Sequence, residues 1–303
     1  MNILSLLSFT VFILFLLLGI YCLRLNKRQP LNQFAFIECL TLSVWAFAYT
    51  FFYPAPNPDA AMYWHRLGCI GGSLFPPFAV YFFLILSKRE HYLSRFELKI
   101  LFYAIPILIL IKNLTGDATI LATGFVPSTS GLGWTYVNSI GNIWTWIYVL
   151  YLAIYFSFGF YLLLQWRNES PYQMQKKQAL TIVIIDTIVL IFGVTSEVLL
   201  PMVTPFLPPM ANLGTSLFAV GFFYLVNDHQ LFSFSTTASS DVILDTVMDP
   251  VLLLDEKGKI LRYNLAYLFD FKIRRDPASG QRFKYAFTLP TIQPGQSGAI
   301  ACP

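Results

Sequence analysis

Two carboxylates, Asp186 and Glu197, stand inside one apolar stretch of this chain. Ionisable side chains are costly in hydrocarbon, so where they occur they mark binding, proton handling or a paired structural role. The eleven residues from one to the other, at about 100° each, return to nearly the same helix face about 16 Å along the axis. Both can therefore line one interior surface. They are either a polar, ligand-facing or proton-sensing pair, or two hydrogen-bonded structural carboxylates. Glu197 also precedes Pro201, where it can serve helix-end geometry.

His65 and Arg66 begin another apolar stretch, at the end where Glu197 is expected, and an Arg66–Glu197 latch is one arrangement open to them. Trp134, Trp144, Trp146, Tyr136 and Tyr148 crowd the same end, as an interfacial aromatic belt or as an aromatic ligand mouth. The candidate ligand- or signal-sensing residues are thus Glu197, Asp186, Arg66, Trp134 and Trp144. Glu38 lies one turn into the second apolar stretch, where pairing with Arg95 or Lys99 is expected. His65, His91 and His229 fall at membrane edges, where solvated roles are expected. Gly68, Gly71 and Gly72 run into Pro76-Pro77, which serves close helix packing or a hinge; Pro76 is a candidate for signal transmission.

Several chemistries are set aside. Cys22, Cys39, Cys69 and Cys302 are scattered, with no CxxC pair. No His/Asp/Glu cluster has metal-ligand spacing, and no phosphate loop or nucleophile elbow occurs. Residues 210–227 hold no lysine for a retinal Schiff base. The chain is expected to carry no catalytic module, cofactor or metal.

The elements that position these residues follow from composition. The chain is 56% hydrophobic and 12% charged over 303 residues, where a soluble domain carries about 25% charge. Apolar stretches fall at 3–23, 33–53, 67–87, 98–113, 141–165, 178–200 and 209–227, the fourth being the shortest. The expected fold is all-α, a bundle of seven membrane-spanning helices. The first apolar run is too long for a cleaved signal peptide, and its basic residues follow it. Loops expected inside carry Arg24, Lys27, Arg28, Lys88, Arg89, Arg95, Lys99, Arg167, Lys176 and Lys177, against Arg66 and Lys112 outside. This bias predicts a multi-pass protein of the cell membrane, amino terminus outside and carboxyl terminus cytoplasmic. The net charge of +4 lies beside the inner leaflet and calls for no nucleic acid.

The loop 114–140 is long and rich in Gly, Thr and Ser, which suits either a lid or a plain surface connection. After the sensor region 1–227 comes a connector, 228–240, with neither Pro nor Gly, beginning at Asp228. Then Asp249-Pro-Val-Leu-Leu-Leu-Asp255 reads as a buried strand, Glu256-Lys257-Gly258 as a tight turn, and a second strand ends at Asn264. Asp228 and Asp249 are candidates for signal transmission. Residues 272–303 have scattered charge, Pro and Gly and no strand pattern.

The segment 241–271 resembles the start of a PAS domain, an α/β cytoplasmic tail too short here to close its core. Trp45, Gly71-Gly72 with Pro76, Ile105-Pro106, Lys176-Lys-Gln178, Asp228-His-Gln-Leu-Phe232 and the 249–255 strand follow one another in this order. On these residues the chain resembles, over 1–271, the amino-terminal seven-transmembrane region of bacterial sensor histidine kinases. It implies an input module in the bilayer that passes an extracytoplasmic small-molecule or membrane signal to PAS and kinase. It also implies a homodimer or pairing with a kinase. The alternatives are a small transporter or channel-like protein with a remnant tail, or the input module of a diguanylate cyclase.

Overall fold

Each helix starts where the chain supplies a local reason. The Asn2 side chain accepts from the Leu4 amide at 2.9 Å and opens α1, Ile3–Leu25. Pro30 leads α2, Pro30–Phe52, at the first-turn position that proline tolerates. Asn57 caps the Ala60 amide at 2.8 Å, and Pro58 and Asp59 complete the start of α3, Pro58–Leu86. Hydropathy alone placed that start at 67, because the first turns of α3 carry Asp59, His65 and Arg66. α4 spans Phe96–Thr115, and α5 spans Ile143–Glu169 with Asn142 capping Trp144. α6 spans Gln173–Val194 and runs on through a π-helical turn, Thr195–Leu199, and a last turn, Leu200–Val203. α7 is Ala211–Asn227.

The structure is a computed structural model that describes residues 2–138, 142–227, 231, 247, 249–254 and 260–263. Six helices, α1 to α6, are long and apolar enough to cross a membrane; α7 is apolar but has 17 residues. At 1.5 Å per residue α7 reaches about 25 Å, a little short of a typical hydrocarbon core. α1 packs on α2, α2 on α3, and α3 meets both α4 and α5. α5 meets α6, α6 meets α7, and α7 returns to α1 and α2. α2 and α3 approach closely because Gly71 has no side chain; a Cβ there would stand 2.8 Å from that of Trp45.

The loop 114–140 is not a structureless connection. Ala122–Pro127 (β1) and Trp134–Asn138 (β2) pair antiparallel, with Phe125 opposite Tyr136 and Val126 opposite Thr135. Gly131 and Gly133 take φ of 72° and 131° in the turn, which L side chains rarely adopt. The hairpin is fixed to the end of the bundle where α1 begins. Asn2 Nδ2 donates to the Leu132 carbonyl at 2.6 Å, and Trp134 Nε1 donates to that of Ala55 at 2.7 Å. Phe125 and Tyr136 are buried there with Tyr49, Phe52 and Tyr53.

The chain divides into two units, 1–234 and 235–303. In the second, β3 (Leu252–Leu254) pairs antiparallel with β4 (Ile260–Tyr263), with Leu252 opposite Tyr263. The strand ends expected at Asp255 and Asn264, and the turn expected at Glu256-Lys257-Gly258, lie outside the described residues. Asp249 is exposed. Asp228, the connector apart from Leu231, and everything after 263 lie outside the described residues.

Candidate functional site

One face of α6 presents Asp186, Val189, Leu190, Gly193, Val194, Glu197 and Val198 to the interior, a stripe at helical spacing. From Val189 to Val198 it lines a cavity of about 90 Å³ beneath the hairpin. Trp45, Tyr49, Phe75, Tyr148 and Phe156 supply aromatic walls; His65, Cys69, Ser73, Asn113, Glu197 and Thr215 supply the polar groups. One water needs roughly 10–15 Å³ by such a measure, so the space holds several waters or a ligand of a few heavy atoms.

Glu197 is fixed at both carboxylate oxygens. The Tyr136 hydroxyl of β2 is 2.7 Å from Oε2, and the Ala211 amide, at the start of α7, donates to Oε1 at 3.2 Å. A carboxylate is favourably placed at a helix amino terminus, whose amides are unpaired and carry partial positive charge. One side chain thus joins the hairpin, α6 and α7. Burial first, and then the nearby Glu197 carboxylate, push the pKa of Tyr136 well up, so its hydroxyl remains a donor.

The backbone of Glu197 is tied to the same tyrosine. Pro201 has no amide hydrogen, so the Glu197 carbonyl lacks the donor an α-helix would aim at it. The Tyr136 hydroxyl donates to that carbonyl. The device recurs twice. Pro77 removes the α-helical donor of the Ser73 carbonyl, and Tyr151 of α5 donates to it at 2.8 Å. Pro106 does the same to Phe102, and Tyr155, one turn further along α5, donates there. Pro77, Pro106 and Pro201 thus each free a carbonyl, and a tyrosine from a neighbouring element takes it.

His65 is buried in the cavity wall, with Nδ1 3.1 Å from the Tyr49 hydroxyl and Nε2 3.7 Å from Cys69 Sγ. The solvated role expected for it is corrected: α3 begins nine residues, about two and a half turns, earlier than hydropathy suggested, which places His65 inside the bundle. His91 is exposed. Asn113 spans two segments, accepting from the Ile120 amide at 2.9 Å while its Nδ2 lies 3.5 Å from Ser73 Oγ.

The structure therefore brings Glu197 and Asp186 to one interior face, Glu197 at this cavity and Asp186 at a second one deeper in the bundle. The Arg66–Glu197 latch is not formed. The Arg66 guanidinium donates to the Gly116 carbonyl instead, because α3 turns His65, not Arg66, inward. Trp134 and Trp144 line neither cavity: Trp134 anchors the hairpin, and Trp144 packs on the main core. Pro76 is buried at the second cavity. Glu38 is buried at that same cavity, not paired with Arg95 or Lys99; among the described residues the ion pair is Arg89–Glu169. Sequence reasoning missed Tyr49, Ser73 and Asn113, and saw Tyr136 only as one aromatic among several.

Six candidate spans, a shorter apolar helix and a largely apolar cavity with a few polar groups under a hairpin define a multi-pass helical membrane protein. A family model described as the N-terminal 7TM region of histidine kinase matches residues 6–235 of the 303. The chain belongs to that family. No curated protein and no solved structure matches it.

Proposed function

We propose that the bundle is the signal-receiving input module of a two-component sensor histidine kinase, with the hairpin end outside and the basic loops in the cytoplasm. A small molecule entering the cavity beneath the hairpin, or a perturbation of the surrounding bilayer, favours one of two packings of α6 and α7. The shift passes through the connector 228–240 to the PAS-like segment and on to a kinase, in a homodimer or a complex with a kinase. A signal moves such an equilibrium only by binding the two packings with different affinity.

The observation that carries this reading is the placement of Glu197. Its carboxylate faces the cavity and is bonded to the hairpin through Tyr136 and to α7 through Ala211. An occupant that competes for that carboxylate alters the hairpin and α7 together.

The test joins this chain to an intact histidine kinase in lipid nanodiscs and measures autophosphorylation. Glu197→Gln keeps the shape of the side chain but replaces one acceptor oxygen with a donor, facing either the Tyr136 hydroxyl or the Ala211 amide. It is expected to shift basal autophosphorylation several-fold. Output equal to wild type, from a variant that folds and inserts equally well, refutes the reading.

A further inference from the structure

The second cavity lies deeper in the bundle and holds a combination of groups that Glu197 does not explain. It is about 40 Å³, and α2, α3, α5, α6 and α7 all reach it. Glu38 enters from α2 and Asp186 from α6. They are 3% and 9% exposed, and neither carboxylate has a hydrogen-bond partner among the described residues. No Lys, Arg or His lines the cavity; most of its wall is Phe, Val and Leu.

Two ionised carboxylates cannot share so apolar a space without compensation, since each loses its hydration and repels the other. Two further polar side chains line it: the Tyr155 hydroxyl is committed to the Phe102 carbonyl, and Thr215 is well suited to help. Thr215 donates its hydroxyl proton to the Asn212 carbonyl at 2.6 Å, which leaves the oxygen lone pairs free to face the cavity. The space matches roughly three water-sized particles. We propose that Glu38, Asp186 and the Thr215 hydroxyl bind a small monovalent cation, with one or two waters completing its shell.

One cation and one retained proton neutralise the pair. A divalent ion fits poorly. Ca²⁺ seeks six to eight oxygens and Mg²⁺ keeps most of its waters, and neither demand is met inside this ring of aromatic side chains. The ligands come from α2, α6 and α7, so occupancy ties three helices together at one point and stabilises the bundle. The two carboxylates line this cavity and not the one under the hairpin, although Thr215 borders both.

The test measures thermal unfolding of the full chain in nanodiscs at neutral pH, in NaCl against choline chloride of equal ionic strength. NaCl is expected to raise Tm by roughly 3 °C or more, saturably, as mass action requires of a ligand that binds the folded state. Glu38→Gln and Asp186→Asn should each fold and lose that rise, while Glu97→Gln, at an exposed position, should keep it. Binding of radiolabelled Na⁺ to the wild-type chain, displaced by unlabelled NaCl, gives a second readout that needs no variant. Equal Tm in the two salts overturns the proposal, as does stability that follows pH alone. A rise retained in the Glu38→Gln/Asp186→Asn double variant, or CaCl₂ acting at far lower concentration than NaCl, also overturns it.

Discussion

The α2–α3 seam and the surroundings of α5 hold the bundle together by opposite means. Along the seam, glycine removes side chains so that the helices touch. A Cβ on Gly68 would lie 2.8 Å from the Tyr49 ring, and one on Gly71 would meet the Thr41 carbonyl and Trp45. Around α5, large side chains bridge from one helix to the next. Tyr151 and Tyr155 reach across to carbonyls that Pro77 and Pro106 leave unpaired, and both cavities have α5 in their walls. The first arrangement has one packing, because backbone against side chain leaves no slack. The second rests on a few directed bonds beside empty space, which is where a bundle can hold two packings.

The sharpest way to break the contrast is to add volume on each side. Gly71→Leu should cost about 3 kcal/mol or fail to fold, since the seam has nowhere to put the new atoms. Gly193→Ala, on the cavity face of α6 where a Cβ meets only the Ala211 methyl at 3.6 Å, should be close to neutral. Thermal unfolding in detergent or nanodiscs measures both. Equal losses would mean that the two sides are packed alike.

Removing hydroxyls probes the second side directly. Tyr136→Phe takes the donor from both the carbonyl and the carboxylate of Glu197 and should cost about 1–3 kcal/mol. Tyr151→Phe takes one donor from one carbonyl and should cost about 0.6–1.7 kcal/mol, the range for hydrogen bonds inside membrane bundles. Hydrogen exchange separates the two further. Tyr136→Phe should raise exchange in the hairpin 122–138, and Tyr151→Phe should leave the hairpin unchanged.

Half of each of these bonds was legible in the sequence. A proline inside a helical pattern names the carbonyl four residues before it as unpaired, so Ser73, Phe102 and Glu197 follow from Pro77, Pro106 and Pro201. The donors were not legible, because which face of α5 meets α3 is a matter of packing, not of periodicity. The stripe from Asp186 to Glu197 was readable because helical spacing alone decides it. The Arg66–Glu197 latch failed for the complementary reason: adjacent residues on α3 point about 100° apart, and only one of His65 and Arg66 can face inward. The hairpin escaped because Gly124 and Pro127 interrupt the first strand, although Trp134-Thr-Tyr136 alternates and Gly131 and Gly133 mark the turn. The helices themselves were plain from hydropathy, apart from the polar first turns of α3.

The smallest effect is expected far from both cavities, at the end of the bundle opposite the hairpin. Arg89 Nη2 meets Glu169 Oε2 at 2.5 Å, joining the segment after α3 to the end of α5. An exposed pair of this kind contributes about 0.2–1 kcal/mol, but here the partners differ. The Glu169 side chain is 60% exposed and that of Arg89 only 10%, and Arg89 Nη1 is buried without a partner among the described residues. Glu169→Gln therefore leaves a buried guanidinium poorly compensated and should cost about 1 kcal/mol, the top of that range. Arg89→Met removes the charge that burial penalises and should cost less, since an exposed glutamate left alone returns to water. If Arg89→Met proves the more damaging of the two, the arginine is held by its charge rather than tolerated for its packing. The end of α5 would then be fixed by an ion pair, unlike the tyrosine bonds that hold its middle.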